Sequence, residues 1–142
     1  MKSVNPYLNF DGNTEEAFEF YRSVFGGELQ ITRYKDLADD MGASNEDLNK
    51  VANVALPLGD NAVLMGTDIL ESMGQKVTPG NNFAITLETD SAEEAEELFS
   101  QLSEDGEIQM PLMETEWAEK YGDFIDRFGI HWMVNYTGKI NF

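Results

Sequence analysis

At 142 residues the chain has the size of one domain and the length to bury a core, while Asp+Glu 27 against Lys+Arg 9 leaves it at −18. That field repels phosphate backbones and anionic bilayers, so neither nucleic acid nor a membrane is expected as a partner. With no cysteine there are no disulfides or thiolate sites; no apolar run nears the ~18–20 residues of a span, "MKSVNPYLNF" lacks a signal core, and the expected location is the cytoplasm.

Along the chain, "VNPYLNF" reads as extended and leads into "NTEEAFEFYRSVFGGE", where Ala17, Phe20, Tyr21 and Val24 share one helical face. "ELQITRY" alternates as a strand, and "VANVALPL" and "NAVLMGTD" join at Gly59-Asp60 as a hairpin. Residues 36–50 form a loop or short helix, and residues 67–82 are polar and link two halves. "NNFAITLET" is extended again and precedes the helix "SAEEAEELFSQLSEDGE". "EIQMPLM" follows as a strand whose Pro111 suggests a sheet edge. "GDFIDRF" and "IHWMVNY" then flank Phe128-Gly129 as a second hairpin.

The two helices align at a constant offset of 78: Asn13 on Ser91, Glu16 on Glu94, Ala17 on Ala95, Phe20 on Leu98, Tyr21 on Phe99 and Val24 on Leu102. Asn13 and Ser91 are N-cap types with a glutamate three residues on, the capping-box spacing. Glycines at 26–27 and at 106 are expected to stop the helices. The order strand, helix, three strands therefore occurs twice. The expected organisation is one domain over 1–142, with module 1 at about 1–70, a linker at about 71–81 and module 2 at about 82–142.

That twofold βαβββ order, with "FDGNTEEAFEFYRSVFGGE", "LMGTD" and "DRFGIHWMVNY", resembles the PhnB-like branch of the glyoxalase/bleomycin-resistance/extradiol-dioxygenase (vicinal oxygen chelate) superfamily. The resemblance implies an α+β fold with two modules whose curved mixed sheets form a cleft, and a homodimer. Some members of the branch carry a methyltransferase label; the helix start after the first strand has no glycine-rich nucleotide loop to support it.

Enzymes of the superfamily hold a divalent metal with His and Glu side chains from the first and last strand of each module, leaving open positions that chelate substrate. Carried onto this chain, those positions fall near Pro6 or Tyr7, Phe83, Met65 and Met133, and Asn53 stands where the branch often has histidine. None of these is a strong ligand, and Asp68 is one carboxylate alone. No cofactor is expected, with a metal-dependent lyase, isomerase or dioxygenase as the alternative.

The sole histidine, His131, lies in "IHWMVNY", where alternation puts Ile130, Trp132, Val134 and Tyr136 on one face and His131, Met133 and Asn135 on the other. A register slip of one would turn Trp132 to the cleft instead. As a general base His131 could pair with Asp126 or Asp123; without a companion ligand it is a structural or ligand-contacting residue. Trp117, Tyr121 and Phe124 offer an aromatic wall or a packing seam. Arg127 could meet a ligand carboxylate, or pair with Asp123 or Asp126. The expected binding residues are Tyr7, Asn53, Met65, Asp68, Trp117, Arg127, His131 and Met133. His131 and Asp126 are the candidates for proton transfer, and a small, partly aromatic molecule is the expected ligand.

Overall fold

The computed structural model describes residues 1–39 and 41–140; Asp40, within the expected 36–50 loop, and residues 141–142, at the end of the expected second module, lie outside the described residues. Two compact units divide the chain, Met1–Thr78 and the remainder from Pro79. No helix among the described residues is long and apolar enough to cross a membrane.

The first unit runs β1 (Tyr7–Phe10), α1 (Thr14–Phe25), β2 (Gln30–Arg33), β3 (Val51–Leu58) and β4 (Ala62–Asp68). The second repeats it as β5 (Ile85–Glu88), α2 (Ala92–Ser103), β6 (Glu107–Met113), β7 (Lys120–Ile125) and β8 (His131–Tyr136). The four-stranded sheets have the orders β1-β4-β3-β2 and β5-β8-β7-β6, and the first strand of each pairs parallel with the last. β6, with Pro111, is an edge as its sequence indicates.

One face of each sheet is covered by its helix. In the first unit Leu8, Phe10, Val54, Leu56 and Leu64 are buried with Ala17, Phe18 and Tyr21 of α1. In the second, Phe124, Trp132 and Val134 are buried, and Phe99 of α2 meets Phe124 edge-on at 5.2 Å between ring centroids. Close approach is bought by glycine: a Cβ on Gly66 would sit 2.7 Å from the Phe18 ring, and one on Gly122 would sit 2.7 Å from the Phe99 ring.

The helix ends depart from the expected caps. Ser91 accepts from Glu94 N at 3.0 Å, but Asn13 makes no side-chain cap bond. Asp68, at the end of β4, does that work for α1, accepting from Thr14 N at 3.1 Å and Thr14 Oγ1 at 2.6 Å. Gly26 ends α1 at φ 78 and donates to Arg22 O. Gly106 does not terminate α2, which stops at Ser103. Its lack of a Cβ instead lets the loop lie against the Ile125 carbonyl.

The stretch expected to link the modules belongs in large part to the first unit. Leu70 is buried, its N–H donates to Gln75 Oε1 at 2.7 Å, and Ser72 Oγ donates to Asp47 Oδ2 at 2.6 Å. Asp47 also accepts from Ser44 and faces Lys50 at 3.0 Å, so a buried carboxylate ties residues 44–50 to residue 72.

Candidate functional site

Each sheet has a second face, opposite its helix, and most of the sequence candidates fall into one group on each. In the first unit Tyr7 pairs across the parallel ladder with Met65, which pairs with Ala55. The Tyr7 hydroxyl donates to Asn53 Oδ1 at 3.3 Å. Tyr7, Asn53 and Met65 therefore do share a surface. Asp68 is buried on the helix side, bound by Thr14 and by Val51 N at 2.8 Å. It holds β3, β4 and α1 together and does not line the open face.

The open face of the second sheet is the richer one. Strand pairing puts Thr86, Met133, Asp123 and Met110 in one row, and Glu88, Asn135, Tyr121 and Met113 in the next. His131 stands opposite Ile125 at the start of β8. Trp132 is fully buried on the helix side, so the register puts His131 outward and Trp132 inward. Trp117 packs edge-on to Tyr121 with ring centroids 5.2 Å apart and remains 40% exposed, as do Met110 at 36% and Met113 at 49%. Met110 and Met113 on the edge strand β6, with Trp117 against Tyr121, form an apolar rim on one side of the polar residues of these rows.

Asp126 requires a correction. It is buried, accepting from Phe128 N at 2.8 Å, Ile130 N at 3.0 Å and the Trp132 indole N–H at 2.8 Å. It thus closes the β7–β8 turn and holds Trp132, on the face away from His131. The carboxylate facing the imidazole is Asp123, with Oδ1 3.5 Å from His131 Nε2. The alignment at that distance is not that of a hydrogen bond, and Nε2 is buried without a hydrogen-bond partner. Arg127 reaches Asp105 at 3.7 Å and Glu104 O at 3.2 Å, a surface pairing outside both groups.

The second unpartnered atom on this face is Asn135 Oδ1. The amide cannot simply turn over, because its Nδ2 donates to Glu88 Oε2 and to Thr137 Oγ1. Burial opposes ionisation of Glu88, but hydrogen bonds from Asn135 and Thr137 prevail and hold its carboxyl below the usual range. Burial, and then the Asp123 charge, raise the Tyr121 hydroxyl above its ordinary pKa. The sequence offers Tyr121 as part of an aromatic wall and Asp123 as a partner of His131, but gives Asn135 no binding role. Their shared parity on β7 and β8 was a usable signal once the hairpin register was counted from its turn.

These donors do not fit a divalent ion. The positions expected to hold ligands carry Tyr7, the 67% exposed Phe83, Met65 and Met133, none of them a strong ligand for such an ion. Among the described residues no group of three or more His, Cys, Asp or Glu side chains converges. One imidazole and one carboxylate, beside a thioether and an amide oxygen, make half a coordination sphere.

A family model described as 3-demethylubiquinone-9 3-methyltransferase matches residues 2–135. The chain belongs to that family. It is 30% identical over 140 residues to Protein YjdN of Escherichia coli K12, covering 93% of each. Among solved structures, protein PA1353 of Pseudomonas aeruginosa is 36% identical with a TM-score of 0.84, covering 94% of this chain and 96% of that one. A Bacillus cereus PhnB protein described as a putative methyltransferase of the same kind is 25% identical with a TM-score of 0.74, covering 94% and 98%. A glyoxalase/bleomycin resistance protein/dioxygenase family enzyme of Burkholderia phytofirmans, 17% identical with a TM-score of 0.60 over 96% and 98%, shares the fold. The family is thus PhnB-like, and the fold is that of the glyoxalase/bleomycin-resistance superfamily. The family description names a methyl transfer, yet the turn from β1 into α1, Asp11-Gly12-Asn13, is not a glycine-rich run.

Proposed function

We propose that this PhnB-like protein binds a small, partly apolar molecule on the open face of its second sheet without a metal ion, and does so without transforming it. The observation that carries the reading is the pair of buried polar atoms without a hydrogen bond on either side of Met133: His131 Nε2, which only faces Asp123 at 3.5 Å, and Asn135 Oδ1. An unsatisfied buried polar group costs ~1–3 kcal/mol. A ligand that supplies the missing partners recovers that cost, while the Met and aromatic rim contributes apolar burial. The Tyr7, Asn53 and Met65 group on the first sheet offers the same chemistry on a smaller scale.

The superfamily resemblance further supports a homodimer working in the cytoplasm. Sedimentation should then return twice the 16.0 kDa chain mass. The binding reading is tested by a thermal-shift screen of small metabolites on chelator-treated protein, followed by amide correlation spectra for each hit. Shifts concentrated on β5, β7 and β8 are expected. Hits that move only residues elsewhere, or a screen answered solely after divalent metal is added, would overturn it.

A further inference from the structure

We infer that the molecule recognised on the second sheet carries a protonated amine on an aromatic or aliphatic body, and that anionic ligands are rejected there. This rests on the binding reading above and specifies its chemistry. The free valence at Asn135 is an acceptor by necessity, because both Nδ2 donors are already directed to Glu88 and Thr137. Diagonally across the β7–β8 ladder stands the Asp123 carboxylate, half-buried and facing His131. Diagonal neighbours in such a ladder lie roughly 7–8 Å apart at their Cα atoms, a spacing that one small cationic head bridges once the side chains over the buried Asn135 oxygen turn aside. An ammonium brings three donors and no acceptor, which matches one amide oxygen and one carboxylate.

Among the described residues of the same unit, His131 is turned to Asp123 and the fixed cations are committed elsewhere. From residue 79 on, the cationic side chains are Lys120, Arg127 and Lys139. Lys120 is held by Glu96 at 3.0 Å and Arg127 by Asp105 at 3.7 Å, while Lys139 lies past the end of β8. Glu88 remains ionised at the end of the neighbouring row. The chain as a whole sits at −18, a field that concentrates cations and repels anions before contact. The rim completes the match: Trp117 and Tyr121 present ring faces and edges on which a cation or an aromatic body packs.

The test titrates isotope-labelled protein near neutral pH with phenethylamine, phenethyl alcohol and hydrocinnamate, three probes that share a body and differ in head charge. The amine is expected to shift the Asn135 side-chain amide, the His131 ring and the Trp117 indole, and to bind at least tenfold more tightly than the alcohol. Hydrocinnamate is expected to leave those signals in place. Asp123→Asn should cut the lead of the amine over the alcohol at least fivefold, with the amide spectrum of the variant serving as the fold control. Asn135→Leu, which removes the acceptor with the Asp123 charge intact, should weaken the amine and the alcohol alike, since both donate to that oxygen. Equal binding of all three probes at these signals would overturn this inference and leave the binding reading standing. Silence of the whole open face towards all three would overturn both.

Discussion

Replacing Asp126 by Asn separates an architectural carboxylate from a chemical one. In the folded chain its Oδ1 accepts from Phe128 N and Ile130 N, and its Oδ2 accepts from the Trp132 indole at 2.8 Å. An asparagine offers one oxygen and one NH₂, so whichever way the amide turns, at least one of these N–H groups faces a donor. Hydrogen bonds to a charged group contribute ~1.5–3 kcal/mol, and a buried donor left unsatisfied costs ~1–3 kcal/mol. Asp126→Asn should therefore destabilise the protein by about 2–4 kcal/mol, a large share of the ~5–15 kcal/mol typical of a domain. Trp132→Phe removes the indole donor, and the double variant should recover about 1.5–3 kcal/mol of the summed losses. Urea unfolding followed by circular dichroism measures all four proteins without depending on tryptophan fluorescence. Asp126→Asn within 0.5 kcal/mol of the parent, or a coupling near zero, would refute the reasoning and return Asp126 to the list of candidate acids.

Further expectations follow from the same contacts. Ser91→Ala should cost about 1 kcal/mol through the lost cap on Glu94 N, whereas Asn13→Ala, which removes no cap bond, should stay within about 0.5 kcal/mol; paired urea melts decide this. Gly66→Ala drives a methyl into the Phe18 ring and should cost about 1–3 kcal/mol, read as a lower melting temperature. Asp47 is held far below the usual carboxylate range, first by Ser72 and then by Lys50 and Ser44. A depressed folded pKa stabilises above the unfolded value near 4 and loses that contribution as pH falls, so the deficit of Asp47→Asn should be full at neutral pH and shrink in acid. Glu71 is raised by its contact with Asp11, the opposite sign. Glu71→Gln should therefore raise the melting temperature at neutral pH and change it little in acid.

Much of the scaffold was legible because it is duplicated. The offset of 78 between the helices carries Thr14–Phe25 onto Ala92–Ser103 and Tyr7–Phe10 onto Ile85–Glu88. Parity on "IHWMVNY" separated Trp132 from His131 onto opposite faces, and burial makes Trp132 the inward one. What sequence could not supply were partners set by long-range geometry. Asp68 caps a helix 54 residues away, so a carboxylate near the expected ligand positions turned out to be architecture. Asn13 has the right side chain for a cap, but Asp68 already accepts from the N–H of the first helical residue. Asp123 and Asp126 are three residues apart, hence on opposite sheet faces, and the hairpin register decides which one meets the imidazole. Proximity in sequence favoured both equally.

Recognition by hydrogen bonds and apolar contact, with no ion in the sheet, is tested most directly by melting chelator-treated protein with and without excess Mn²⁺, Ni²⁺, Zn²⁺ or Fe²⁺. An ion at a hundredfold its dissociation constant would add about 2.7 kcal/mol. The account predicts no stoichiometric uptake and no gain of that size from any of the four. A bound equivalent with such a gain, lost on replacing His131 by Ala, would contradict it.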